Sequence, residues 1–208
     1  MPTDPHLLVL GYPKCGNVWL RALLADLILA SGVNFRQVME HHPGAAFFEQ
    51  LDLGIKEQSH QDQVFFEPLR VFQCIPDVFR WAIPDLGEYV RQTSMVHSHS
   101  EWSPLVDRWV RVFDHHILIV RDPRDVAISW AQWMFTPFNL LHRPSLFENP
   151  AALLHEDFPF RMRSWDQYHR NWRAAATGGL KLHVVFYERL VHDTIGELAL
   201  MRDYLGLE

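Results

Sequence analysis

The sequence predicts an α/β fold: one domain over residues 1–208, built on a P-loop-like central parallel β-sheet with helices on both faces. Three observations carry this. The apolar runs at 7–12 and 115–120 lack polar alternation, as strands buried on both faces do. Segments of helical period alternate with the strands. Polar clusters at 13–17, 97–99 and 121–125 follow predicted strands, at the carboxyl edge where such sheets bind ligands.

The elements follow in order. Leu7 to Tyr12 reads as a buried strand. The next segment is apolar at 18, 19, 20, 23, 24, 27, 28 and 29, a wide helical stripe with Asn17 placed to cap it. Residues 31–92 are broken by Gly and Pro and read as turns and short helices, with "HHPGAAFFEQLDLG" a loop. Residues 93–99 form a short strand ending in polar residues. "HHILIV" at 115–120 is a buried strand, and Asp122, Pro123 and Asp125 open the helix after it as cap, first residue and first-turn acid. Residues 135–160 hold four prolines and little periodicity, which predicts a long excursion or lid. Residues 161–176 are helical and stop at Gly178-Gly179. "LKLHVVFY" at 180–187 is a strand. The last helix opens with Thr194 and Glu197 at capping-box spacing and closes at Gly206.

Composition narrows the function. A chain of 208 residues buries roughly 70% of its unfolded surface and needs no metal or disulfide staple. A formal net charge of −6 argues against nucleic-acid binding. Two cysteines, Cys15 and Cys74, make no framework and fit reduced thiols in a cytoplasmic compartment. There is no signal-peptide pattern and no run approaching the roughly 18 apolar residues of a membrane span. The chain has sixteen Arg and only three Lys, at 14, 56 and 181, and one of those three sits in a Gly-containing turn.

That turn, Pro13-Lys14-Cys15-Gly16-Asn17, joins a strand to a helix. Free backbone N–H groups and the helix dipole favour an anion there, by roughly 0.3–1 kcal/mol for an exposed site. Lys14 adds a full charge. The same turn is also compatible with an ordinary strand–helix connection bearing a surface lysine. Arg121 follows the second buried strand, and Ser129 lies about two turns into the next helix. A rigid guanidinium fork and a hydroxyl suit phosphate oxygens; alternatively Arg121 pairs with Asp122 or Asp125. His97 and His99, two apart on an extended segment, face the same way. They fit a general base, a metal-binding pair, or two inert polar residues at a strand end.

Together these segments resemble the sulfotransferases that use 3′-phosphoadenosine 5′-phosphosulfate. "YPKCGNVWL" resembles their "YPKSGTTWL" loop, "VRDPRDVAISW" their "RNPKDVAVSYY" segment, "VHSHSEW" their "KTHLP" element and "FYERL" their "YEDL". The four matches stand in family order and frame nearly the whole chain. The resemblance implies transfer of a sulfuryl group to a hydroxyl or amine of a small-molecule acceptor, without a metal, leaving adenosine 3′,5′-bisphosphate (PAP). It implies that Lys14 binds the 5′-phosphosulfate and stabilises the bridging oxygen. Cys15, Gly16, Asn17, Val18 and Trp19 would line the 5′ side, with Trp19 near the adenine. Arg121 and Ser129 would hold the 3′-phosphate, His99 would take the acceptor proton, and Tyr187 would support the site. The segments 31–92 and 135–170 would shape the acceptor pocket.

Three departures stand against this background. Cys15, Asn17 and Val18 replace Ser and Thr of the family loop, so side-chain hydrogen bonds to the donor are lost unless Asn17 compensates. Charge-assisted bonds are worth about 1.5–3 kcal/mol each, so weak donor affinity is expected. His97 stands where many relatives carry Lys. The Arg-Lys-Gly segment that many relatives place further on has no counterpart before Glu208, which implies a different cofactor site or a truncated sequence. Three other classes stay open: a P-loop kinase or NTPase, which lacks its Gly-Lys-Ser/Thr ending here; a metal hydrolase on His97 and His99, which needs a third ligand; and a relative that binds nucleotide without turnover.

Overall fold

A computed structural model describes residues 5–41, 62–75 and 79–208. Seven strands form one sheet: β1 (Leu7–Gly11), β2 (Gln63–Phe66), β3 (Val71–Ile75), β4 (Phe79–Ile83), β5 (Met95–Ser98), β6 (His115–Val120) and β7 (His183–Phe186). Their order is β4-β3-β2-β5-β1-β6-β7. β2, β5, β1, β6 and β7 are parallel, and β2–β3 and β3–β4 are antiparallel. The expectation of a parallel sheet therefore holds for its centre and fails at one edge. The reason is connection length: residues 67–70 are too few for a crossover helix, so β3 must return antiparallel. Those edge strands occupy a region expected to hold turns and short helices. From residue 42 onward the "HHPGAAFFEQLDLG" loop lies outside the described residues.

Helices α1 (Asn17–Ala30), α2 (Leu86–Arg91), α3 (Asp107–Val110), α4 (Pro123–Met134), α5 (Pro137–His142), α6 (Pro150–Thr177), α7 (Tyr187–His192) and α8 (Thr194–Leu205) complete the described chain, with a 3₁₀ turn at Val38–His41. Every residue of β1 is buried. Alternate side chains of a strand point to opposite faces, so both faces of the sheet are covered. α1 packs on α8, and α4 packs on α6. α1 buries Leu20, Leu24 and Ile28, four residues apart and fully inaccessible. Each such side chain contributes roughly 1.5–3 kcal/mol on burial. α6 buries Leu153, Tyr168, Trp172 and Ala175.

Three local expectations are corrected. α1 is capped by Gly16 in the left-handed conformation, with no side-chain cap. Asn17 is its first helical residue, and its Nδ2 donates back to the Tyr12 carbonyl at 3.0 Å. The expected lid at 135–160 is instead α5 and the first part of α6, which runs through Pro159. Pro159 costs one helical hydrogen bond, but the burial of Leu153 on one side and of Tyr168 and Trp172 on the other keeps the helix continuous. The cap of α8 is Asp193, one residue before Thr194, accepting from the Gly196 N–H at 2.9 Å. Glu197 is buried and pairs with Arg189 on α7 at 2.6 Å in place of closing a capping box.

Asp193→Ala is expected to lower stability by about 1 kcal/mol, while Asp193→Asn, which keeps an accepting oxygen, changes it by much less. Thermal unfolding followed by circular dichroism checks the difference.

Candidate active site

β5, β1 and β6 are neighbours in register: Leu10 pairs with Ser98, and Gly11 with Ile119. The three central strands thus end level, and the clusters at 13–17, 97–99 and 121–125 meet at one edge. Beyond β1 the chain turns through Lys14 (φ 72°) and Gly16 (φ 97°), both left-handed. The left-handed region costs a non-glycine residue roughly 1–2 kcal/mol. At Lys14 that strain is held by its surroundings. The Cys15 N–H donates to Tyr12 O at 3.2 Å, and Arg121 Nη1 donates to the Lys14 carbonyl at 3.3 Å. Gly16 admits no side chain for a second reason, since a Cβ there would lie 2.5 Å from the Tyr187 ring.

Tyr187 is the floor of this loop. Its ring meets Trp19 edge-on at 5.8 Å. The guanidinium of Arg121 lies over its face at 4.3 Å, an attraction of roughly 0.5–2 kcal/mol. The following residue, Glu188, accepts from the Asp122 N–H at 2.8 Å, fastening α7 to the loop after β6. Asp122 itself caps α4 and pairs with Arg124, not with Arg121. Arg121 Nε is buried without a hydrogen-bond partner. The Lys14 ammonium sits 5.3 Å above the Trp133 ring. Among the described residues neither Lys14 nor Arg121 has a carboxylate within ion-pair distance. Burial, then the charge of Arg121, hold Lys14 below the usual lysine range. Two adjacent, partly desolvated cations with no carboxylate partner among the described residues can accept an anion.

His99 Nδ1 lies 2.6 Å from the Gly11 carbonyl oxygen. A carbonyl can only accept, so Nδ1 carries a proton and donates it to Gly11 O. The ring of His97 stands edge-on to that of His99 at 4.3 Å. His97 is buried, with neither ring nitrogen hydrogen-bonded. Burial, then His99 and Arg21, hold it well below the usual histidine range, so it stays neutral. Among the described residues no group of three His, Cys, Asp or Glu side chains is arranged to hold a metal ion, so the metal-pair reading finds no third ligand there.

The sequence matches the sulfotransferase domain family over residues 4–208. The chain belongs to that family. Solved structures of similar fold include mouse sulfotransferase SULT7A1 in complex with PAP, at 18% identity and TM-score 0.56, covering 99% of this chain and 59% of that one. The sulfotransferase of Alicyclobacillus acidocaldarius is 15% identical with TM-score 0.54, covering 99% of this chain and 82% of that one. Retinol dehydratase in complex with androsterone and PAP is 17% identical with TM-score 0.52, covering 100% of this chain and 62% of that one. The chain thus spans about three-fifths of the length of the mouse protein. A search of the curated proteins found no match.

Within this sulfotransferase domain the expected residues divide. Lys14, Gly16, Trp19, Arg121, Tyr187 and His99 converge on one edge. Cys15 is fully buried and free, and burial pushes its thiol up to about 12, so it is a neutral packing group. Asn17 is buried, holding the loop through its Nδ2 while its Oδ1 lacks a partner. Val18 is 48% exposed. Ser129 is half-buried on the second turn of α4, and no hydrogen bond ties it to Arg121 among the described residues. No described helix is long and apolar enough to cross a membrane. Sequence reasoning missed Trp133 beneath Lys14 and Glu188 beneath Asp122. Glu188 lay inside the quoted "FYERL", and Trp133 shares its helix with Ser129, four residues on. That spacing was the available signal.

Gly16→Ala is expected to destabilise the fold by roughly 2 kcal/mol or more, combining left-handed strain and the clash with Tyr187. Adding Tyr187→Ala relieves the clash and leaves the strain, so the two changes are non-additive. Denaturant unfolding of the two single variants and the double variant measures this coupling.

Proposed function

We propose that the protein is a sulfotransferase that uses 3′-phosphoadenosine 5′-phosphosulfate and moves its sulfuryl group to a hydroxyl, or an amine, of a small-molecule acceptor. The observation that carries the reading is the meeting, on one sheet edge, of two cations with no carboxylate partner among the described residues, Lys14 and Arg121, with His99, whose Nδ1 donates to the Gly11 carbonyl. The donor set fits such a nucleotide. Lys14, Gly16 and the first amides of α1 form the cradle for the 5′-phosphosulfate. The unpartnered buried Nε of Arg121 suits the 3′-phosphate, with Ser129 on the adjoining helix. Trp19, braced edge-on by Tyr187, offers a surface for the adenine.

The nucleotide supplies the sulfuryl group; the chain supplies position and charge. His99 Nε2 accepts the proton of the attacking hydroxyl, while Gly11 O holds the Nδ1–H and shares the charge that forms on the ring. Lys14 offsets the charge growing on the leaving phosphate. The neutral His97 fills the place behind His99 without adding a charge that would oppose its protonation. PAP would be the product. The free, buried thiol of Cys15 supports action in the cytoplasm.

Titration calorimetry with PAP is expected to show saturable binding, and absence of heat at millimolar PAP with folded protein overturns the reading. His99→Ala is expected to lose transfer by roughly 10²–10⁴-fold while keeping PAP affinity, and retained turnover removes His99 from its role. A lysine is charged below its pKa, so PAP affinity should be fully present at low pH. It should fade as pH rises through the lowered Lys14 pKa, earlier than the ordinary value of 10.5 allows. Calorimetry across pH checks this, and Lys14→Met should remove both the affinity and its alkaline limb.

A further inference from the structure

Arg161 on α6 is a third cation at this edge, and the functions assigned so far do not use it. Its side chain is 16% exposed and pairs through Nε with Asp157, one turn earlier. Its guanidinium lies 3.7 Å above the Trp130 ring. Trp130 in turn leans on Trp133 at 5.2 Å, and Trp133 carries Lys14 at 5.3 Å. Arg161 Nη1 lies 3.5 Å from the hydroxyl of Tyr12, the residue after the Gly11 whose carbonyl holds His99. The Tyr12 hydroxyl donates to Ser164 Oγ at 3.1 Å. A closed circuit thus runs from Lys14 through Trp133, Trp130 and Arg161 back to Tyr12 beside the base.

A guanidinium has five N–H donors in a fixed fork. Asp157 takes one, Tyr12 faces a second, and Trp130 covers the flat face. Among the described residues Nη2 has no partner. This orienting set leaves one edge of the fork for a ligand. Lys14 and Arg121 are claimed by the donor under the proposed function, which leaves the open edge of Arg161 as the cation of this group for the acceptor.

We propose that Arg161 is a specificity-determining residue that selects acceptors bearing a carboxylate about one aromatic ring's length from the hydroxyl to be sulfated. The spacing comes from Tyr12: its backbone adjoins the carbonyl that holds His99, and its ring reaches to Arg161. Trp130 and Trp133, tilted 47° to each other, line the way between Arg161 and Lys14 with aromatic surface that suits an aromatic spacer. The inference rests on the proposed sulfotransferase reading.

The test is calorimetry on the full chain saturated with PAP, titrated with 4-hydroxybenzoate and with phenol, which differ only in the carboxylate. Wild type is expected to bind 4-hydroxybenzoate roughly tenfold or more tightly than phenol, the worth of one charge-assisted bond. Arg161→Met should bring the two to parity and leave PAP affinity within about twofold. Equal or weaker binding of 4-hydroxybenzoate by wild type, or binding of neither compound, overturns the assignment. A fall in PAP affinity in Arg161→Met also overturns it, by moving Arg161 to the donor side. The wild-type comparison decides alone if the variant does not fold. Failure of wild type to bind PAP at all is a different result, and overturns the sulfotransferase reading itself.

Discussion

The level ending of β5, β1 and β6 is the constraint from which the site follows. Backbone ladders fix which residues stand side by side, and they do so before any functional side chain is in place. With Leu10 opposite Ser98, the next residue on β5 is His99, next to Gly11, and the imidazole closes on that carbonyl. With Gly11 opposite Ile119, Arg121 falls beside the turn that follows β1, and its guanidinium reaches the Lys14 carbonyl. A slip of one residue in either ladder would turn every side chain to the other face of the sheet. Complete burial of β1 makes such a slip very costly. The apolar core thereby sets the geometry of a polar site.

The electrostatics of the site depend equally on what surrounds it. Lys14 and Arg121 lie close together with no carboxylate between them among the described residues, and the rings of Trp133 and Tyr187 stand in for one. An aromatic face attracts a cation without neutralising it, so the charge stays available to a ligand. Carboxylates nearby are spent elsewhere: Asp122 on Arg124 and its helix cap, Glu188 on the Asp122 amide, Asp157 on Arg161. His97 follows the same logic with opposite effect, since burial removes the charge that a lysine would place behind the base.

The central framework was legible in the sequence because its signals are strong and local. "LLVLG" and "HHILIV" are unbroken apolar runs, and Asp122-Pro123 starts a helix through the capping oxygen and the fixed proline φ. Arg121 and His99 were legible because each stands where a strand ends, and Lys14 because it sits in the turn that follows one. The edge strands β2, β3 and β4 were not, because they are four or five residues long and interrupted by "EPLR", which reads as a break. The start of α6 was hidden by its prolines, whose penalty is outweighed by Trp172 and Tyr168 far along the same helix. Arg161 and Trp133 could not be assigned from the chain alone, since their meaning arises only where α4 packs on α6. The packing of the Cys15 side chain was hidden for the same reason: burial makes the thiol of a loop residue part of the core.

The contact between Gly16 and Tyr187 also carries a consequence for the order in which the molecule is made. The loop leaves the ribosome well before the ring that supports it, since Gly16 and Tyr187 lie far apart in the chain. Contacts of such sequence separation are slow to form, because the whole intervening chain must be organised first. Until β7 is zipped onto β6 and α7 begins, Gly16 has no wall beneath it and Arg121 has no ring to lie on. A nascent or half-folded chain would therefore carry the complete motif before its loop has support, so that the anion affinity proposed for it would arrive only with β7 and α7 in place.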